Sequence, residues 1–120
     1  MSLKITAIRE AGVHDKERIV MRASQDLDIG DYALLRTGYN SAISKVTTRV
    51  HNAMWFPNKK IKQGDFVVVY TKSGRSSEKE FEGHISHFLY WGEASTLWDM
   101  PDVSAVLLTA PQWQSFRPKD

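Results

Sequence analysis

The 120-residue sequence contains no cysteine. That absence excludes a disulfide framework, thiolate zinc sites, iron–sulfur clusters and cysteine nucleophiles together. No apolar run approaches the ~20 residues that cross a bilayer as a helix. The first strand-like run starts at Leu3 without the apolar stretch of a secretory signal before it. These absences lead to the expectation of a cytoplasmic chain. No repeat, low-complexity tract or Pro/Gly-rich linker divides it, and its length fits a single domain over residues 1–120. A dominant charge is missing as well. Sixteen Lys and Arg against fourteen Asp and Glu leave a formal charge of +2, a sum that marks neither a dedicated nucleic-acid protein nor a membrane-surface protein.

Helical spacing of apolar residues is weak throughout. The best window, Ser41 to Val50, contains the adjacent Thr47 and Thr48 and reads as easily as extended chain. Short apolar runs separated by turn residues are what the chain does have. Leu3–Ile8 alternates, Ile19–Ala23 follows a charged turn, and Tyr32–Arg36 is ended by Thr37-Gly38. Thr47–Phe56 is rich in β-branched and aromatic residues and is broken by Pro57-Asn58. Phe66–Thr71, the most hydrophobic segment, predicts a strand buried on both faces or central to a sheet, and Gly64 before it permits the positive φ of a tight turn. Lys72–Gly83 reads as a polar loop, with Ile85–Tyr90 and Val103–Thr109 as the closing strands. About seven to nine short strands predict an all-β fold, a β-sandwich, with a small β-barrel as the alternative.

Catalytic patterns are missing. His84 and His87 stand three apart in a strand-like run, which sends their side chains to opposite faces, and no cysteine or nearby carboxylate completes a ligand set. Both read as surface or turn histidines. There is no Gly-x-Ser-x-Gly elbow, and Ser41 and Lys45 have the wrong separation for a Ser-x-x-Lys pair. Thr71-Lys72-Ser73-Gly74 has the residue types of a phosphate loop without its spacing, and reads as a turn after a buried strand. Glu78, Glu80 and Glu82 alternate so that an extended segment would line up three carboxylates, a pattern typical of a charged edge strand. No enzyme activity, metal site or cofactor is expected.

The charge distribution says more than its sum. Between Asp31 and Asp65 there is no acid, while Arg36, Lys45, Arg49, Lys59, Lys60 and Lys62 supply six positive charges, three of them in one lysine-rich turn. Such a stretch can neutralise phosphates without reading base sequence. Tyr39, His51 and Trp55 interleave with it and could stack on bases, and Trp91 is a further aromatic contact candidate. Nucleic acid or another polyanion is therefore one expected partner. The other is a protein, including a second copy in a homo-oligomer, met through a sheet edge such as Glu78–Glu82 or through the aromatic loops.

The order of these pieces resembles the lamin tail domain. The resemblance runs through Leu3–Ile8, Glu17-Arg18-Ile19-Val20-Met21-Arg22-Ala23 and Leu27-Asp28-Ile29-Gly30-Asp31-Tyr32-Ala33-Leu34. It is strongest at Trp55-Phe56-Pro57, Ile61 and Gly64-Asp65-Phe66-Val67-Val68-Val69-Tyr70-Thr71, and continues at Leu97-Trp98-Asp99-Met100-Pro101-Asp102 into Val103–Leu108. Asp31-Tyr32 stands where the family has Gly-Trp. The resemblance implies an immunoglobulin-like sandwich serving as a non-catalytic binding or anchoring module, with no catalytic residue to carry over.

Overall fold

The structure, a computed structural model, describes residues 1–118. Ten strands form among them: β1 Leu3–Arg9, β2 Arg18–Ala23, β3 Leu27–Asp28, β4 Tyr32–Asn40, β5 Lys45–Trp55, β6 Lys60–Ile61, β7 Phe66–Tyr70, β8 Ser77–Phe81, β9 His84–Tyr90 and β10 Val103–Thr109. They make a five-stranded sheet ordered β1-β2-β7-β9-β8, a three-stranded sheet β10-β4-β5 and the small pair β3-β6. The sheets remain open rather than closing into a barrel, so the fold is a β-sandwich.

Period-two alternation puts one side of each sheet into a shared core. Leu3, Ile19, Met21, Val67, Val69 and Leu89 of the larger sheet join Tyr32 and Leu34 of the smaller, with Ile29, Phe56, Ile61, Leu97 and Trp98 filling from the loops and the short strands. Strand β7 lies between β2 and β9, as its uninterrupted valines imply, and is parallel to β9 alone. Gly64 takes φ +90° in the turn before it, where His84 packs against its α-carbon and a side chain would collide.

Several expectations are corrected. Thr37-Gly38 does not end the third strand: β4 runs on to Asn40, and bulges between Arg36 and Tyr39 absorb the irregularity while Thr47 Oγ1 occupies the space beside Gly38. Ser41–Val50, open in sequence between weak helical spacing and extended chain, takes the extended alternative, a turn followed by strand that pairs back on β4 as a hairpin. The polar segment Lys72–Gly83 contains a strand, β8, because pairing with β9 satisfies its backbone whatever its side chains. Lys60 and Ile61 form a two-residue strand against β3 rather than belonging to a lysine-rich turn. Strand β8 does form a sheet edge, but Glu82 turns away at φ 51°, so only Glu78 and Glu80 share a face. Among the described residues no helix is long and apolar enough to cross a membrane.

Candidate nucleic-acid interface

The cations of the acid-free stretch go to different places. Arg36 points to the inner side of the small sheet, donating from Nε to the Leu97 carbonyl at 2.7 Å and reaching Asn52 Oδ1 at 3.4 Å. Lys59 meets Glu78 at 2.8 Å and Lys60 lies 3.6 Å from Asp28. The Lys59 ammonium holds the Glu78 carboxyl below its ordinary range. Lys45 and Arg49 lie exposed on the β4–β5 hairpin, and Lys62 is exposed beside β6. The six therefore do not form one patch, since Arg36, Lys59 and Lys60 already have partners from distant parts of the chain.

The aromatic candidates also separate. Trp55 is 51% exposed, donates its indole N–H to the Gly30 carbonyl and meets Trp113 edge-on at 4.7 Å. Trp91 is half-buried against Trp98, and Tyr39 sits beside the turn of the β4–β5 hairpin, opposite Val46.

The histidine reading needs correction at one position. His87 is an inward residue of β9 and only 3% exposed. Its Nε2 lies 3.0 Å from Asp65 Oδ2, and its Nδ1 is buried without a hydrogen-bond partner 3.4 Å from Glu78 Oε1. Asp65 also accepts from the backbone N–H groups of Ile85 and Lys62. Burial pushes the Asp65 carboxyl up, but the His87 bond and these two donors outweigh it and leave it below the ordinary value. Carboxylates do converge on a histidine here, yet the ring is sealed from solvent. Among the described residues no group of three or more His, Cys, Asp or Glu is placed to hold a metal ion.

Glu17 is a second buried acid. It accepts from the Thr71 hydroxyl at 2.6 Å and from the backbone N–H of Leu97 at 2.7 Å, Gly12 at 2.9 Å and Trp98 at 3.2 Å. Burial raises its pKa, and the four donors more than reverse that, holding the carboxyl below its ordinary value. This carboxylate joins the β1–β2 loop, the end of β7 and the segment before β10. Asp28 plays a smaller part of the same kind, capping Gly30 and Lys59 through their N–H groups, which with Lys60 lower its pKa.

The exposed chemistry lies elsewhere, on the outer face of the five-stranded sheet. Strand register lines up two mixed rows across it. Lys4, Arg22, Phe66, Ser86 and Lys79 form one, and Arg9, Arg18, Tyr70 and Tyr90 the other. Between them runs a third row of Ala7, Val20, Val68, Phe88 and Ser77. Every charged residue in these rows is a cation. Arg22 lies 5.1 Å from the Phe66 ring centre and Arg18 5.8 Å from that of Tyr70, which stacks on Tyr90 at 5.3 Å. Lys72 adds a cation 5.3 Å from Tyr70 and is met by Asp15 at 3.7 Å.

Two concavities open on this face, one on each side of Arg22. The first, about 400 Å³, includes Lys4, Thr6 and Gln63; the second, about 320 Å³, is lined by Arg22, Phe66, Phe81, Glu82, His84 and Ser86. Sequence reasoning missed this face. Its cations are spread over three strands and interrupted by acids in the linear order, and only alternation combined with register collects them. No protein-family model matches the chain, and no curated protein matches it.

Proposed function

We propose that the domain is a non-catalytic binding module that holds a polyanion, foremost a nucleic acid, on the outer face of its five-stranded sheet. The single observation that carries this reading is the all-cation composition of the cross-strand rows on that face: Lys4, Arg9, Arg18, Arg22 and Lys79 are the charged residues at those outward strand positions, and Glu82 beside them sits in the turn after β8. Cations spread over a sheet meet successive phosphates, and the rings between them accept stacked or apolar groups. The resemblance of the Trp55–Thr71 and Leu97–Leu108 segments to the lamin tail domain supports a binding or anchoring role. A cytoplasmic setting belongs to the same reading, since a sandwich without disulfides suits a reducing compartment. Lys45, Arg49 and Lys62 contribute further positive charge away from the main face.

Titration of labelled single-stranded and duplex DNA and of heparin, followed by anisotropy, tests the reading. Affinity is expected to fall steeply between about 50 and 200 mM salt. Reversing Arg18 and Arg22 to Glu together is expected to weaken binding at least about tenfold, through the phosphate contacts it removes and repels. Reversing Lys59 and Lys60 to Glu should change it far less. Failure to bind any of the three polyanions at low salt overturns the proposal.

A second reading rests on β5. This strand of 11 residues is an edge of the small sheet, and Val46 and Val50 on it are exposed together with Ile43 in the adjoining turn. An exposed edge of that length pairs readily with another strand, which supports a protein-interaction or homo-oligomeric module. A mass that stays monomeric by light scattering across a concentration series counts against it.

A further inference from the structure

We infer that the occupant of the outer face is a single-stranded nucleic acid and that one of its unstacked bases lodges in the cleft lined by Phe66 and Phe81. This deepens the polyanion reading and rests on it. The cleft has the composition of a base site rather than of a plain anion site. Its apolar lining is two phenylalanine rings, and Phe81 is 69% exposed, an unusual state for a large aromatic on an edge strand. Its polar lining is Ser86, His84 and Glu82, which together provide hydroxyl, imidazole and carboxylate groups for the edge of a base. Its volume of about 320 Å³ lies at the small end of the range of roughly 300–1,000 Å³ that small ligands occupy, a scale suited to one nucleoside.

Arg22 stands at the border of both concavities. A backbone crossing it passes from the cleft to the neighbouring concavity with Lys4, while Lys79 lies in the same cross-strand row on the far side of Phe66. A duplex keeps its bases stacked inside and would leave the two rings unused. Heparin and polyphosphate would engage the cations alone. Glu82 on the cleft lining disfavours a second anionic group there, which separates a neutral base from an acidic side chain.

Anisotropy titrations of the whole chain with a labelled single strand, the matching duplex, heparin and a poly-glutamate peptide provide the test, each with wild type, Phe81→Ala and Phe81→Trp. Because Phe81 is exposed, its replacement leaves the core intact, and a thermal melt confirms that. Single strand is expected to bind more tightly than duplex or peptide. Phe81→Ala should lose about tenfold in single-strand affinity, the scale of one stacked base, with heparin affinity unchanged, and Phe81→Trp should retain the wild-type value. A 2-aminopurine in the strand should be quenched on binding to wild type and less so on binding to Phe81→Ala. Equal affinity for strand and duplex, tighter binding of the peptide, or a Phe81→Ala variant whose single-strand affinity is unaltered overturns the base site while leaving polyanion binding standing. Absence of binding to every polyanion overturns both.

Discussion

In the core beneath the five-stranded sheet, the buried acids are each surrounded by donors; on the outer side, cations stand in cross-strand rows with no acid among them, and Glu82 lies only in the cleft beside those rows. Glu17 and Asp65 show the first arrangement, and Lys4, Arg9, Arg18, Arg22 and Lys79 the second. The two are connected. A domain of near-zero net charge develops a strongly basic face when its carboxylates are turned inward or spent on backbone N–H groups, as Glu17, Asp28 and Asp65 are. Net charge is therefore a poor guide to the potential a partner meets, because a carboxylate saturated by N–H donors inside the fold contributes little to neutralising arginines on the opposite surface.

The contrast can be broken most severely at Glu17. Glu17→Ala leaves the Thr71 hydroxyl and three backbone N–H groups without their acceptor. The expected loss is on the order of 3–5 kcal/mol in chemical denaturation, the scale of disrupting a buried charged network. Next in size, Met21→Ala on the inner face should cost about 3 kcal/mol as a core cavity, whereas Arg22→Ala, one residue on and facing outward, should stay within about 0.5 kcal/mol. Equal losses at the two positions would show that the faces are not energetically distinct.

Acid provides a smaller, graded version of the same test. The folded-state pKa values of Glu17 and Asp65 lie below their ordinary values of 4.5 and 3.8. Their contribution is thus fully present above those ordinary values and is lost as pH falls through the depressed ones. The denaturant midpoint should drop on going from pH 6 to pH 3, and Glu17→Gln should flatten part of that dependence. The smallest effect belongs to the exposed pair of Lys59 and Glu78. Lys59→Ala is expected to shift stability by less than about 1 kcal/mol, and to leave polyanion affinity at the wild-type level by anisotropy.

Much of the fold was legible in the chain. Val67-Val68-Val69 between Gly64 and Gly74 announces a strand central to a sheet, and β7 is flanked by β2 and β9, with Val68 shielded on the outer face by Val20 and Phe88 of its neighbours. Pro57 stops β5 where its missing N–H does no harm. Strand β8 was legible as an extended, charged edge only through its alternating glutamates, since its polarity otherwise resembles a loop. The burial of His87 was not legible: its acceptor Asp65 lies 22 residues away, and only the parallel pairing of β7 with β9 turns the ring toward it. The ion pairing of Lys59 with Glu78 was hidden in the same way, as a run of lysines carries no sign of which acids will face it.

What the sequence by itself determined is the class of fold and the absence of cysteine chemistry, because alternation, turn residues and composition act over a few neighbours at a time. Only the tertiary structure decided which cations share a face. Register brings Lys4, Arg22 and Lys79 from three separate strands into one row. A change of register by one residue would send each of them to the opposite side of the sheet.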